Sequence, residues 1–313
     1  MSNNNIAEIT IIGSGSQANK IYDICKKIKQ IKKINRYHYK QKKNFTNDFT
    51  KILFSKCVFI ASPTYSHFDY LKKLKKFNGY IFLEKPGGSS LRELKYLKNT
   101  FINGKIFINY NFQFSNLYEL LKKLIKNKKF GKLVKVDISA TNGLIHKKNY
   151  KNWRFKKNFS IGIEEINTVH FLKLSESLFG KSIFIDKKKF ISKKSLNTVT
   201  ANYSIETNKK VVVNIFNSYN TVYSFHLIIL FENAMLKYDG KKISIFYPRN
   251  VFDKYNRFIS PPKINSKNID FEKDWKESLN KSIIYFLNKV LKKHKLSKKD
   301  FENSIEIAEQ VFK

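Results

Sequence analysis

Three small residues near the start of the chain are spaced for phosphate chemistry. Gly13-x-Gly15-x-x-Ala18 follows the apolar run Ile6 to Ile12 and opens a stretch with Ile21, Ile24, Cys25 and Ile28 at helical spacing. A first glycine permits a tight turn, a second lets the backbone approach a pyrophosphate, and a small third residue allows close helix–strand packing. Ser14, Ser16 and Gln17 complete this turn. The helix start behind it offers unpaired N–H groups and the positive dipole end. About twenty residues on, an acid would normally take the adenosine ribose hydroxyl. The segment Ile34 to Lys40 has none; Arg36 or Lys40 there could accept a 2′-phosphate. This tilts the expected cofactor towards NADP and leaves NAD open.

The elements needed to position such a turn follow in order. Strand-like runs at Ile34–Tyr39, Val58–Ser62, Tyr80–Leu83 and Lys105–Tyr110 alternate with helical periodicity at His67–Phe77 and Leu91–Asn99. That alternation predicts a doubly wound parallel sheet, a Rossmann domain over residues 1–112. After Asn111 the character changes. Helices are expected at Asn116–Lys126 and Ile163–Leu178. Strands are expected at Leu133–Thr141, Ser182–Ile185, Thr198–Ile205, Lys210–Phe216, Tyr223–Phe231, Ala234–Tyr238 and Lys242–Phe246. Pro248–Asn268 reads as a loop, and Trp275–Lys293 and the segment from Asp300 as closing helices. The fold class is α/β, with residues 113–313 forming a second α/β domain on an open, largely antiparallel or mixed sheet.

Composition bounds the function. The chain has 313 residues, is 42% hydrophobic and carries a formal charge of +37. Only five of its 61 basic residues are arginine: Arg36, Arg92, Arg154, Arg249 and Arg257. Base readout and bidentate phosphate clamps favour arginine, and the lysines are spread along the chain. A biased residue pool is therefore favoured over a specific nucleic-acid partner. Cys25 and Cys57 show no zinc spacing, and no metal is expected. The polar N-terminus and the absence of long apolar runs predict a soluble, cytoplasmic protein without a membrane partner.

Further motifs resemble the Gfo/Idh/MocA family, which includes glucose–fructose oxidoreductase and inositol dehydrogenase. Ser62-Pro63-Thr64-Tyr65-Ser66-His67 resembles its Thr-Pro-x-x-x-His segment, and Glu84-Lys85-Pro86 its Glu-Lys-Pro signature. Ile108 to Phe114 resembles its Gly-Tyr-Asn-x-Arg-Phe segment, with Gln113 in place of the arginine. Phe130 to Val134, Trp153-Arg154 and Gly162 to His170 match further segments in order.

The resemblance implies an NAD(P)-dependent oxidoreductase acting on a sugar or nucleotide-sugar hydroxyl or ketone. Hydride transfer from a carbinol also requires removal of a hydroxyl proton. Lys85, placed by the resemblance between nicotinamide and substrate, is the expected general acid/base. A partly desolvated lysine has the depressed pKa such a role needs. Ser62, Pro63, Thr64, His67 and Glu84 would support the cofactor; Tyr110, Trp153 and Arg154 would line the substrate pocket. His170 would face the substrate. The family's acid one helical turn before it is Ile166 here; Glu165 could take over if the helix is rotated or bulged. That departure leaves a catalytically impaired dinucleotide-binding scaffold or sensor as the alternative. A homo-dimer or tetramer is expected through the open sheet face, with Val211 to Phe216 supplying apolar side chains.

Overall fold

A computed structural model describes residues 6–101, 103–146, 153–156, 159–191, 197–248 and 251–313; the side chains of Ala7 and Arg154 lie outside the described set. The chain divides into two compact units. The first comprises Met1–Tyr110 with Asn280–Lys313, the second Asn111–Leu279.

The first unit is built on five strands: β1 (Ile6–Ile12), β2 (Ile31–Tyr37), β3 (Cys57–Ile60), β4 (Tyr80–Glu84) and β5 (Ile106–Asn109). They run in the order β2-β1-β3-β4-β5, every adjacent pair parallel. Residues such as Val58, Phe59, Ile60, Phe82 and Leu83 are buried, as near-continuous apolar runs require in a sheet covered on both faces. The crossovers carry helices α1 (Ser16–Cys25), α2 (Thr50–Leu53), α3 (His67–Lys73) and α4 (Leu91–Thr100). The order reverses between β1 and β3. In such sheets a ligand crevice opens at this reversal, beyond the carboxyl ends of the strands.

The C-terminal residues correct the expected domain division, which placed them all with residues 113–313. Helix α7 (Phe271–Leu291) begins in the second unit and ends in the first, and α8 (Lys298–Phe312) lies wholly in the first. Apolar packing decides this. Fully buried Phe286 meets Phe59 and Phe82, each at 5.4 Å between ring centroids. The Leu296 amide donates to the Gly104 carbonyl at 2.7 Å.

The second unit carries an eight-stranded sheet. Its strands are β6 (Leu133–Thr141), β7 (Ser182–Ile191), β8 (Thr198–Thr207), β9 (Val212–Ser218), β10 (Ser224–Phe231), β11 (Met235–Tyr238), β12 (Lys242–Phe246) and β13 (Lys263–Asn268). Their order is β13-β12-β11-β10-β6-β9-β8-β7. Only β6 and β9 pair in parallel; the other neighbours are antiparallel, so the sheet is mixed as expected. Strand β13 lies within the segment read as loop. Its sequence, Lys-Ile-Asn-Ser-Lys-Asn, is exposed throughout and has no apolar alternation; only its ladder with β12 makes it a strand. One face of the sheet is buried through residues such as Val199, Ala201, Tyr203, Val213 and Ile215. Helices α5 (Asn116–Ile125) and α6 (Val169–Phe179) complete this unit with the first half of α7. Among the described residues no helix is long and apolar enough to cross a membrane.

Candidate active site

The turn after β1 has the geometry its residues predict. Gly13 has φ +120°, and a Cβ there would sit 2.8 Å from the Ala61 carbonyl oxygen. Any side chain would therefore be both strained and in collision. Gly15 differs: a Cβ built on it meets nothing within 4 Å. Open space thus faces the start of α1. Gly15 caps that helix without a side-chain bond, and no acid lies in the first turn. The first-turn amides of α1, beginning with Ser16 and Gln17, have no acceptor within the helix. Ala18 is fully buried, as close packing of α1 on the sheet requires. Ser14 is half-buried. This cradle fits the diphosphate of a dinucleotide: backbone donors, a dipole of matching sign, and room where a side chain would block entry.

The other carboxyl ends bring polar groups to the same edge of the sheet. Glu84 ends β4, and its Oε1 accepts from the Gln17 amide and the Asn109 amide, each at 2.9 Å. Burial pushes the Glu84 carboxyl above its ordinary value, against these two bonds and the nearby Lys85 charge. Lys85 follows, half-buried, with a cis peptide to Pro86. Beyond β3, the Ser66 hydroxyl donates to Ser62 Oγ and to the Pro63 carbonyl, both at 2.7 Å. Thr64 is buried in the short turn before α3. His67 is 1% exposed, with Nε2 2.9 Å from the Ser62 carbonyl oxygen. Burial lowers its pKa to about 4, against the Ser62 and Gly87 backbone contacts; the Lys85 charge lowers it further. A neutral ring buttressing the Ser62 turn follows.

Arg36, at the end of β2, is not a free surface cation. Its guanidinium lies over the Phe45 ring at 4.2 Å and the Tyr22 ring at 4.7 Å, and it donates to Asn19 Oδ1. Lys40 is exposed. Tyr110 is buried, and its hydroxyl donates to the Ser304 carbonyl at 3.2 Å. Burial pushes that hydroxyl well above its ordinary range. The residue read as lining a substrate pocket is thus built into the core of the first unit.

In the second unit, the segment from Gly162 to His170 departs from a regular helix. Residues Glu164–Thr168 form a π-helical turn that leads into α6. It is the bulge under which Glu165 was expected to replace the acid lost at Ile166. Glu165 is nevertheless fully buried and accepts from the Ser160 hydroxyl at 3.0 Å and the Ile161 amide at 3.2 Å. It ties the preceding loop to the helix, while Ile166 is half-exposed. Gly162 starts this segment with φ +94°, and a Cβ there would collide with the Thr198 carbonyl. His170 is buried, with its ring 4.9 Å from that of Trp275. Trp153 lies half-buried in a short turn, Trp153–Phe155; the Arg154 side chain is outside the described residues. Among the described residues no cluster of His, Cys, Asp and Glu could hold a metal ion.

Two networks escaped the sequence reading. Asn109 is one; its position at the end of a strand, beside Tyr110 in a quoted motif, was an available signal. The other joins Glu164, Tyr203 and Lys189. The Glu164 carboxylate accepts from the Tyr203 hydroxyl and lies 3.0 Å from Lys189 Nζ. Only tertiary pairing brings these three together.

Comparison with known proteins agrees with this architecture. Residues 122–309 match the oxidoreductase family, C-terminal alpha/beta domain (GFO_IDH_MocA_C). The chain belongs to the Gfo/Idh/MocA oxidoreductase family. YteT of Bacillus subtilis (strain 168), assigned as an oxidoreductase, is 23% identical over 128 residues, a stretch covering 40% of this chain and 30% of that protein. A protein from Desulfitobacterium hafniense DCB-2, assigned as an NADPH-dependent oxidoreductase, superposes with TM-score 0.77 at 15% identity, covering 100% of this chain and 95% of that one. Levoglucosan dehydrogenase in complex with NADH and levoglucosan superposes with TM-score 0.79 at 12% identity, covering 97% and 96%. At these identities the superpositions establish the shared Gfo/Idh/MocA fold.

Proposed function

We propose that this Gfo/Idh/MocA protein is an NAD(P)-dependent oxidoreductase that transfers hydride between the nicotinamide and a hydroxyl or ketone carbon of a sugar or nucleotide-linked sugar. The observation that carries the reading is the phosphate cradle: open space at Gly15, beside the uncapped start of α1, on the sheet edge that also bears Lys85. The dehydrogenase and NADPH-linked relatives of the same fold support it. When bound, the cofactor supplies the hydride acceptor or donor. The chain supplies the rest. The turn at Gly13–Gln17 binds the diphosphate. Glu84 holds Gln17 and Asn109 in register. Ser62, Pro63, Thr64 and His67 shape the neighbouring wall. Lys85 takes the hydroxyl proton as the carbinol is oxidised and returns it on reduction. His170 orients the reacting hydroxyl, and Glu165 fixes the loop before its helix.

Arg36, with no acid at the end of β2, favours NADP over NAD. Titration with NADPH and NADH, followed by cofactor fluorescence, tests both points. Saturable binding that Gly15→Asp abolishes supports the reading, because the new carboxylate fills the cradle with the wrong charge. Tighter binding of NADH would reverse the preference, and failure to bind either would remove the oxidoreductase assignment. The loss of an acid at Ile166 favours one other reading, a dinucleotide-binding scaffold or sensor. Cofactor binding without turnover on any sugar would establish it.

A further inference from the structure

Strand β7 ends the second unit's sheet; among the described residues β8 is its one neighbouring strand. An edge strand presents unpaired backbone N–H and C=O groups to any strand that can match it. From Phe184 to Phe190 the ladder with β8 runs without interruption, and its register shifts just beyond either end. Lys187 is the middle residue of this regular stretch. Within it Phe184, Asp186, Lys188 and Phe190 share one face, opposite Glu206, Ser204, Asn202 and Thr200 of β8. All four are exposed, the two phenylalanines by 61% and 57%. Laid antiparallel against its own copy about Lys187, the strand sets Phe184 opposite Phe190 and Asp186 opposite Lys188, twice over. Opposed aromatic and opposite-charge pairs stabilise a ladder. Centring the pair on Asp186 or on Lys188 instead would set that charge against itself, which is destabilising. On the other face Lys187 does meet its copy. Glu164, bonded to Tyr203 and 3.0 Å from Lys189 Nζ, brings negative charge to that side from each chain. Charged side chains on an edge ordinarily deter pairing; in this order they select one register.

We propose that a second copy of this chain docks on β7, strand against strand and antiparallel, with Lys187 at the two-fold axis. Two sheets then join edge to edge, and the backbone groups of each edge find partners in the other. The exposed phenylalanines cover one another, and the Asp186–Lys188 pairs fix the register between them. This association does not depend on the reaction the protein catalyses.

The test is the light-scattering mass of the full-length protein at constant ionic strength, in the parent and in charge-reversal variants. Asp186→Lys and Lys188→Asp each set like charges opposite one another, and each is expected to halve the parent's mass. They move the net charge of +37 in opposite directions, so the diffuse field cannot account for a loss in both. The double variant restores opposite-charge pairs with their order exchanged and is expected to recover the parent's mass. A parent mass near 37 kDa, unchanged masses in the single variants, or a double variant no better than the singles overturns the proposal. Circular dichroism establishes that each variant is folded. Should a reversal misfold, Lys187→Cys reads the register by itself. Residues opposed at the axis are within reach of a disulfide, and the native Cys25 and Cys57 are buried. Mild oxidation is expected to give a covalent dimer in this variant and none in the parent. Absence of that crosslink also overturns the proposal.

Discussion

At the scale of single residues, the first unit sets Lys85 apart from the other lysines of the chain. It is half-buried, follows a half-buried glutamate whose carboxyl group is held by two amides, and lies near a histidine kept neutral. A group that moves a proton in the rate-limiting step contributes about 100- to 10,000-fold. Lys85→Ala is therefore expected to lower turnover by at least about 100-fold; unchanged turnover would remove Lys85 from the chemistry. His67 has a separate, thermodynamic signature. Its folded pKa, about 4, lies below the ordinary value of 6.5. Between those values the unfolded chain binds a proton that the folded chain refuses, so stability falls as pH drops through this window. The span corresponds to at most about 3 kcal/mol. Urea unfolding at several pH values is expected to show this loss in the parent and a flatter profile in His67→Gln. Identical slopes in the two proteins would contradict a buried neutral ring.

At the scale of elements, α7 and the π-helical turn decide most. The second half of α7 docks Phe286 onto Phe59, Phe82 and Phe107 in the first unit. Truncating a fully buried phenylalanine costs about 3–5 kcal/mol. Phe286→Ala is expected to lower the unfolding free energy by that amount, read as a lower denaturant midpoint with the slope retained. A small shift would mean that the helix is not docked there in solution. The amphipathic spacing of α7 was readable as a helix; which half belongs to which unit was not. The π-turn was legible only as a conflict, an isoleucine where the related pattern has an acid. Its resolution depends on Ser160 and Ile161 capturing Glu165, a matter of three-dimensional fit.

At the scale of the whole molecule, charge and the open sheet face are the features from which we argue association. Val211, Val213 and Ile215 point inward, so the alternating run from Val211 to Phe216 offers only its other side chains to the outer face. The outward set is Val212, Asn214 and Phe216, continued on β10 by Ile228 and Leu230. The alternation of a strand sends neighbours to opposite faces. We expect two or four copies to assemble through this face; a light-scattering mass near 37 kDa, that of one chain, would contradict it. The charge of +37 is expected to give nucleic-acid retention at low salt that disappears at physiological salt. Retention persisting there would require a dedicated nucleic-acid surface.

The sequence by itself determined the local features: the glycine turn, the strand–helix alternation of the first unit, the change of character near Asn111, and the motif that singles out Lys85. Each is written within a few consecutive residues, where spacing and residue type fix the backbone. Tertiary structure decided what depends on partners distant in the chain. It joined the last helices to the first unit, made a strand of the polar segment Lys263–Asn268, committed Tyr110 to Ser304, and brought Glu164, Tyr203 and Lys189 together. Such contacts form because separate elements bury their apolar faces against one another. The polar groups carried along must then find partners wherever the packing places them.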